Sequence, residues 1–337
     1  MGEVHLTEGL NPAQLDAVVH GDGPLLVVAG AGSGKTRVLT HRIAHLIEHE
    51  GVSPFEILAI TFTNKAASEM KTRVGALIGP VAEKMWISTF HSACVRILRR
   101  DAGVLGYPSS FTIYDQADAV RLTGYILRDM NLDSKRFPPR QVHATVSAAK
   151  NELVDPGAYR ERAQTIFERK IADVYDEYQL RLRKAGAMDF DDLLGVTVEL
   201  LRRNPDVLDH YRRRFRHVLV DEYQDTNPVQ NELVMLLGGE HHNVCVVGDQ
   251  DQSIYAFRSA DIRNIIEFEQ RFPDTTVILL EQNYRSSQTI LDAANAVIAN
   301  NLGRKPKELW TESGGGEKIV RYHADDEMDE ARWVAHE

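Results

Sequence analysis

The sequence predicts an α/β fold built on a doubly wound parallel sheet, with a helical segment inserted into it. Three observations predict this class. An apolar run at 25–28 leads into a glycine-rich turn that ends in Gly-Lys-Thr at 34–36, as a buried strand does before a phosphate-binding loop. Short runs rich in Val and Ile recur and alternate with helical stretches. Between His91 and His217 the alternation stops, and no strand is predicted there.

Length and composition limit the possible classes of protein. A chain of 337 residues exceeds one ordinary core, which indicates two or more domains. The 43% hydrophobic and 26% charged residues are typical of a soluble globular protein, and no window is apolar enough for a membrane span. The only cysteines, Cys94 and Cys245, lie in apolar sequence, which favours reduced thiols in a cytoplasm. The net charge of -10 argues only weakly against nucleic-acid binding, because a groove needs local positive charge and basic residues outnumber acidic ones at 91–190.

The individual elements follow from these patterns in chain order. Runs that suit strands buried on both faces lie at 25–28, 57–62, 86–88, 218–221, 244–248 and 276–280. Helical periodicity predicts helices at 65–78, 92–100, 118–130, 140–151 and 163–184. An earlier helix begins at Asn11-Pro12, where a capping residue precedes a proline at the first helical position.

The turn after the first predicted strand carries the clearest chemical signal. Small residues there let backbone N–H groups wrap a polyphosphate, while the next helix points its positive dipole end at the anion. Lys35 would neutralise charge at the β- and γ-phosphates, and Thr36 would offer its hydroxyl to Mg²⁺. The strict pattern begins with Gly where this chain has Ala29, a minor departure; a turn that binds nothing is the alternative. The predicted nucleotide-binding residues of this loop are Ala29, Gly30, Ala31, Gly32, Ser33, Gly34, Lys35, Thr36 and Arg37.

Two carboxylates, Asp221 and Glu222, follow the strand predicted at 218–221. After a P-loop, this layout is that of a Walker B site. Asp221 would hold Mg²⁺ through water, and Glu222 would polarise the water that attacks the γ-phosphate. An acidic pair at the end of a strand is, taken alone, as often a solvated turn. The P-loop upstream favours the catalytic interpretation.

A third cluster follows the strand predicted at 244–248. Polar residues at the end of a buried strand can sense a γ-phosphate. The aromatic and basic residues directly after them, Tyr255, Phe257 and Arg258, can hold nucleic-acid bases by stacking. The alternative is a helix cap followed by core aromatics.

Eight motifs follow one another along almost the whole chain. They are Gln14 in Leu10-Asn11-Pro12-Ala13-Gln14, the P-loop, Ala59-Ile60-Thr61-Phe62-Thr63-Asn64-Lys65-Ala66-Ala67, Ser88-Thr89-Phe90-His91-Ser92, Met188-Asp189-Phe190-Asp191-Asp192-Leu193, Asp221-Glu222-Tyr223-Gln224-Asp225, Gly248-Asp249-Gln250-Asp251-Gln252-Ser253-Ile254-Tyr255 and Gln282-Asn283-Tyr284-Arg285-Ser286. In this order they resemble the motifs of the UvrD/PcrA/Rep superfamily 1 DNA helicases. The resemblance implies an enzyme that uses ATP and Mg²⁺ to move 3′ to 5′ along single-stranded DNA, in the cytoplasm and at the nucleoid when bound to DNA.

The resemblance also implies a division of the chain. Residues 1–92 and 188–278 would form a first RecA-like P-loop NTPase domain, 93–187 an inserted helical subdomain, and 279–337 the start of a second RecA-like domain. Family members continue far beyond this length, so the sequence is interpreted as a fragment, or one piece of a divided protein, that lacks the C-terminal helicase portion and full activity. The expected partners are single-stranded DNA, single/double-strand junctions, that C-terminal portion and repair or replication proteins; no membrane is expected.

Individual side chains receive roles by matching position in the family. Gln14 would read the adenine edge, and Tyr284 would stack on the base. The residues expected to act on the γ-phosphate, as catalytic groups, are Lys35, Asp221, Glu222, Gln252 and Arg285. The residues expected to line the single-strand track are Phe62, Thr63, Asn64, His91, Phe190, Tyr255, Phe257 and Arg258. The family usually has Trp where this chain has Phe257, and the smaller ring predicts a weaker grip there.

Some assignments keep a structural alternative. Phe62 ends an apolar run and suits ordinary core, and Phe190 stands beside three acids. The basic run 212–216 favours a solvated helix end over a phosphate contact, whereas Lys150 suits either.

Two other functions share the nucleotide residues. A metabolic P-loop kinase gives no reason for the aromatic track. An ATP-dependent DNA clamp or interaction module has no use for Glu222. A zinc site is not expected, because the 13 histidines show no metal-ligand spacing.

Overall fold

The computed structural model describes residues 6–301 and 304–337, except for the side chain of Arg258. The strands in chain order are β1 (Leu25–Ala29), β2 (Ile57–Thr61), β3 (Trp86–Thr89), β4 (Thr112–Tyr114), β5 (Ala187–Asp189), β6 (His217–Val220), β7 (Val244–Gly248) and β8 (Thr276–Leu280). The helices are α1 (Pro12–Val19), α2 (Lys35–Glu48), α3 (Asn64–Ile78), α4 (Phe90–Asp101), α5 (Gln116–Asp129), α6 (Pro139–Asn151), α7 (Pro156–Arg162), α8 (Ile166–Lys184), α9 (Phe190–Arg203), α10 (Pro205–Arg214), α11 (Pro228–Gly238), α12 (Arg263–Ile266), α13 (Phe268–Arg271), α14 (Gln288–Ile298) and α15 (Glu327–His336).

Six strands form one parallel sheet in the order β3-β2-β6-β7-β1-β8. These are the six strands that the apolar runs predict, so the α/β class with a parallel sheet is confirmed. β1 lies between β7 and β8, and its Val27 stands opposite Val247 and Ile278. This position brings the turn after β1 close to the turns after the neighbouring strands, because parallel strands end at the same edge.

Helices cover both faces of the sheet. Leu26 and Val28 of β1 belong to a core shared with α4, α9 and α11, whereas Leu25 and Val27 belong to a second core shared with α1, α2 and α3. Every residue of β1 is buried, since successive side chains enter opposite cores. The uninterrupted apolar run in the sequence reflects this burial on both sides.

The central segment has its own helical core but is not free of strands. Buried side chains of α5, α6 and α8 form a third cluster, among them Ile126, Val146 and Tyr178. The prediction of no strand between His91 and His217 is wrong, because β4 and β5 pair in parallel. Each has three residues, too few for a periodic pattern. Their pairing brings the two ends of the helical segment side by side; the domain limits given above stay predictions.

The last part of the described chain begins with an edge strand. β8 pairs with β1, α14 follows, and α15 ends at His336. Residues 282 and 310 form an isolated parallel bridge between the two parts of this segment. Within the described ranges, no helix has the length and apolar character that crossing a bilayer requires.

His217, the first residue of β6, is expected to make stability depend on pH. The side chain is 5% exposed, and burial together with the Arg42 guanidinium lowers its pKa to about 4. The unfolded chain takes up this proton near pH 6.5, so the unfolded state binds more protons between these values. Stability therefore falls as the pH drops from about 6.5 to about 4, by roughly 2 kcal/mol at pH 5 from this group alone.

A non-titrating residue should reduce this loss. We expect His217→Gln to show a smaller decrease in Tm than the wild type between about pH 7.5 and about pH 5, measured by thermal unfolding. The matched control is His323→Gln, which changes an exposed histidine. An equal Tm decrease in wild type and His217→Gln would contradict the prediction.

Candidate functional site

The turn between β1 and α2 has the backbone of an anion-binding loop. Gly32 and Gly34 adopt left-handed φ values of 71° and 93°, which favour glycine. α2 begins at Lys35 with no side chain capping its N-terminus. The N–H groups of its first turn are therefore open to a ligand, at the positive end of the helix dipole. This geometry fits the phosphates of a nucleotide.

Neighbouring side chains pack closely against Gly32 and Gly34 of this loop. A Cβ atom on Gly34 would lie 2.7 Å from Nε2 of Gln14, and one on Gly32 would lie 2.8 Å from Cβ of Arg285. Larger residues at these two positions would displace Gln14 or Arg285. The loop thus requires glycine for space as well as for backbone conformation.

The acidic pair after β6 lies across from the P-loop lysine. Nζ of Lys35 is 3.3 Å from Oε2 of Glu222. Glu222 itself has a left-handed backbone, with φ 49°, a conformation that costs a non-glycine residue about 1 kcal/mol or more and recurs at functional sites. The contact brings together two motifs that are far apart in the sequence.

Asp221 is buried beside this pair. Its Oδ1 accepts the backbone N–H of Glu222 at 3.0 Å. Burial and the negative charge of Glu222 raise the pKa of Asp221 to about 7, although Lys35 acts in the opposite direction. A cation would relieve both effects, and carboxylate and hydroxyl oxygens are ligands that Mg²⁺ prefers. Asp221 is therefore a candidate ligand for a magnesium ion that is shared with phosphates, and the hydroxyl of Thr36, the residue after Lys35, stays the second predicted ligand.

No described group of three or more His, Cys, Asp or Glu side chains converges as a metal site. Magnesium in proteins usually keeps several waters and binds through one or two protein oxygens together with phosphates.

A chain of hydrogen bonds links Glu222 to the turn after β7. Gln224 donates from Nε2 to Oε2 of Glu222 at 3.0 Å and accepts the backbone N–H of Asp249 through Oε1 at 2.9 Å. Gln252 donates from Nε2 to Oδ2 of Asp249 at 2.6 Å. The predicted phosphate sensor Gln252 is thus held by the same network as Glu222. The sequence alone predicts no role for Gln224.

On the other side of the loop, Gln14 and Tyr284 approach one another through Asn11. Gln14 is buried; its Nε2 donates to the carbonyl of Ser33 at 2.8 Å and its Oε1 accepts the N–H of Asn11. Asn11 donates from Nδ2 to the hydroxyl of Tyr284 at 3.0 Å. Gln14 keeps one N–H and one lone pair beyond these bonds. Asn11, predicted only as a helix cap, is a link between the two residues expected at the base.

Asn283 fixes Arg285 against the P-loop. Its Nδ2 donates to the carbonyl of Ala31 at 2.5 Å, and its Oδ1 accepts the N–H of Arg285 at 2.8 Å. The N–H of Tyr284 donates to the carbonyl of Gly32 at 2.9 Å. The segment after β8 therefore lies directly on the phosphate loop. The sequence predicts roles for Tyr284 and Arg285 of the same motif, but none for Asn283.

The predicted single-strand residues follow the ends of β2, β3, β5 and β7 and differ in exposure. Phe190 is exposed and lies edge-on to His91, with ring centroids 5.9 Å apart. Phe62 is partly buried, and its ring centroid lies 5.9 Å from that of Phe90. Part of the Phe62 ring therefore belongs to the core, which was the structural alternative for this residue. Burial lowers the pKa of His91, which favours the neutral form of the ring.

The second group of track residues follows β7. Tyr255 and Phe257 are exposed, and their ring centroids are 5.9 Å apart. Thr63 caps α3 by accepting the N–H of Ala66, and Asn64 is the first residue of that helix. The side chain of Arg258 lies outside the described residues. Exposed aromatic rings of this kind suit sequence-tolerant stacking of bases.

Lys150 has neither of its two predicted environments. It is buried, and its Nζ lies 2.7 Å from Asp189 and 2.8 Å from Asp192. The next residue, Asn151, donates from Nδ2 to Asp191 at 3.0 Å and accepts from Nδ2 of Asn227 at 2.6 Å. The end of α6 is thereby bound to the starts of α9 and α11. Neither a solvated lysine nor a phosphate contact describes it.

The basic run 212–216 is only partly solvated. Arg213 and Arg216 are exposed, but Arg212 donates to the carbonyl of Leu236 at 2.9 Å. The guanidinium of Arg214 lies 5.3 Å from the ring of Trp86, within cation–π range. The preferred prediction of a solvated helix end therefore holds for two of these arginines.

Comparison with known proteins gives consistent matches along the chain. The UvrD/REP helicase N-terminal domain family matches residues 10–273, and the UvrD-like helicase C-terminal domain family matches 278–337. The chain is 58% identical to the ATP-dependent DNA helicase UvrD1 of Mycobacterium tuberculosis over 344 residues, which cover 98% of this chain and 44% of that protein.

Two further relatives carry another name. The chain is 54% identical over 330 residues to the ATP-dependent DNA helicase PcrA of Bacillus subtilis, and 52% identical over 332 residues to that of Staphylococcus aureus. Each match covers 98% of this chain, with 45% and 46% of the relative. The chain thus spans less than half the length of these relatives.

Proposed function

Because the chain belongs to the UvrD/Rep helicase family, we propose that it is the motor portion of an ATP-dependent DNA helicase that moves 3′ to 5′ on single-stranded DNA. The observation that carries the proposal is the contact between Lys35 of the P-loop and Glu222 after β6. It brings a phosphate-binding cation and a water-activating carboxylate to one point. The enzyme would act in the cytoplasm, in DNA repair or replication.

In this proposal the chain's own groups prepare ATP for hydrolysis. The N–H groups of the first turn of α2 and the ammonium of Lys35 bind the β- and γ-phosphates. Glu222 orients the attacking water and takes up its proton, while Arg285 and Gln252 contact the γ-phosphate. Magnesium, when bound through Asp221 and Thr36, supplies further positive charge for the phosphates.

The remaining site residues recognise the base and the DNA. Tyr284 stacks on the adenine, and Gln14 hydrogen-bonds its edge with the donor and acceptor that remain free. Tyr255 and Phe257 stack on successive bases, together with Phe190 and His91. A single strand, or the single-stranded side of a junction, offers the unpaired bases that such stacking needs.

DNA-stimulated ATP hydrolysis by the intact protein tests the proposal. We expect single-stranded DNA to raise the steady-state rate of ATP hydrolysis, and ATP to support displacement of a strand from a duplex with a 3′ single-stranded tail. Duplexes with a 5′ tail are the control for direction. DNA binding that depends on ATP without any turnover would contradict the proposal and favour an ATP-dependent clamp.

Tyr255→Ala and Phe257→Ala should each weaken binding to single-stranded DNA of any base sequence. Loss of one stacking ring is expected to cost about 1 to 3 kcal/mol in binding to any single strand. Fluorescence anisotropy with oligonucleotides of different base composition measures this. Phe55→Ala, which removes an exposed ring away from the sheet edge that bears the site, is the matched control. A loss confined to one base composition would instead indicate reading of base edges.

A further inference from the structure

The turn after β6, residues 221–226, carries Glu222 and is the Walker B turn. It also anchors protein segment 253–264, which bears the aromatic residues Tyr255 and Phe257. Thr226 is fully buried, and its hydroxyl donates to the carbonyl of Tyr223 at 2.7 Å. The carbonyl of Thr226 accepts two hydrogen bonds at 2.9 Å, from the N–H of Asp261 and from Nδ2 of Asn264. Nδ2 of Asn264 also lies 3.1 Å from Oγ1 of Thr226. The end of segment 253–264 is therefore fixed to the Walker B turn.

The beginning of the same segment is fixed to the same turn. The hydroxyl of Ser253 donates to the carbonyl of Gln224 at 3.4 Å, and the side chain of Gln224 donates to Glu222. Tyr255 and Phe257 thus lie on an arch whose two ends rest on Gln224 and Thr226. A shift of the arch on binding DNA would be passed to the turn that orients Glu222.

Asn264 is the side chain that makes the second anchor specific. It lies on the short helix α12. The residue after it, Ile265, is fully buried in the core that β1 shares with α4, α9 and α11. Its own N–H donates to the carbonyl of Asp261 at 3.0 Å, so the backbone of the anchor is already ordered. Asn264 therefore joins α12 to the turn after β6 through Thr226.

We propose that Asn264 is a positioning residue for DNA-stimulated hydrolysis, which acts through Thr226 to couple the aromatic arch to Glu222. The inference rests on the proposed function. It predicts a separation of properties: Asn264 contributes to the response to DNA, and neither to binding of DNA nor to basal turnover. Coupling residues that touch neither ligand typically change such a response severalfold to about thirtyfold.

The experiment measures ATP hydrolysis by the intact protein with and without single-stranded oligo(dT). In Asn264→Ala we expect basal kcat within about twofold of wild type, and DNA-stimulated kcat lower by about tenfold. The Kd for oligo(dT), measured by anisotropy, should change less than about threefold. Asn264→Asp, which keeps the shape but turns a charged acceptor toward the Thr226 carbonyl, should lose the stimulation at least as strongly.

The matched control is Arg263→Ala, on the same helix and exposed, with an ion pair to Asp261 rather than a bond to Thr226. It should keep the wild-type response. Normal stimulation in both folded Asn264 variants would overturn the inference, as would a loss of basal turnover or of DNA binding as large as the loss of stimulation. A wild type without any stimulation would overturn the proposed function itself, and the two failures are thereby distinguished.

Discussion

Glu222→Gln is expected to retain ATP binding and to lower kcat by on the order of 10² or more. The amide has the size of the carboxylate but cannot accept the proton of the attacking water. Glu222 lies 3.3 Å from the ammonium of Lys35. Removing that negative charge leaves Lys35 free for phosphate, so nucleotide affinity should stay equal to wild type or increase. Rapid-quench kinetics and nucleotide titrations measure the two effects separately.

The control for this prediction is Glu232→Gln on α11. It makes the same chemical change at an ion pair with Arg202, and exposed pairs contribute little to stability. Both variants should unfold at about the wild-type temperature. Unchanged turnover in Glu222→Gln would show that another group activates the water, and the assignment of Glu222 would then be withdrawn.

The predictable part of this site is the part encoded by local patterns. The P-loop and the acidic pair each occupy a few consecutive residues at a strand end, so residue type and hydrophobic pattern together specify them. Most strands of the main sheet were predictable because burial on both faces requires uninterrupted apolar runs. The edge strand β8 has such a run as well, although Leu280 is the only buried residue in it. β4 and β5 carry no such signal: three residues can pair only because the folded ends of the helical segment meet.

The unpredicted part depends on partners that are distant in sequence. Lys150 follows two alanines in a helix and resembles a surface lysine, and only Asp189 and Asp192, 39 and 42 positions further on, explain its burial. Asn151 and Asn283 are similar cases. Their amides act by joining separate segments, and a single amide in a sequence has no periodic or compositional signal that marks its partner.

The buried charge cluster around Lys150 is a feature with large energetic consequences. Burial disfavours the charged lysine, but the carboxylates of Asp189 and Asp192 outweigh it and raise the pKa of Lys150. Tyr178 donates its hydroxyl to Asp189 at 2.8 Å, and Gln179 donates to Asp192 at 3.0 Å. Burial and the charge of Asp189 raise the pKa of Asp192 to about 6. One cation thus compensates two buried carboxylates.

Lys150→Met should therefore destabilise the fold by about 3 to 5 kcal/mol, because it leaves two buried carboxylates without a cation. Denaturant unfolding measures this, and Lys170→Met, at an exposed pair with Asp173 in the same helical segment, should change stability by less than about 0.5 kcal/mol. Lowering the pH should restore stability to the Lys150→Met protein. Its buried carboxylates take up protons at pH values at which the same carboxylates of the unfolded chain are still ionised.

Neutralising the two carboxylates as well as the lysine distinguishes two causes of the lost stability. One is the lost attraction between lysine and carboxylates, and the other is the buried negative charge that remains unpaired. The triple variant Lys150→Met, Asp189→Asn, Asp192→Asn should recover most of the loss, because the large cost of breaking a buried pair comes from the charge that remains. Asn at 189 can still cap α9, as Asp189 does for the N–H of Asp192. A loss below about 1 kcal/mol in Lys150→Met, or no recovery in the triple variant, would show that water reaches the carboxylates and that packing of the lysine stem, not its charge, holds α6 on α9.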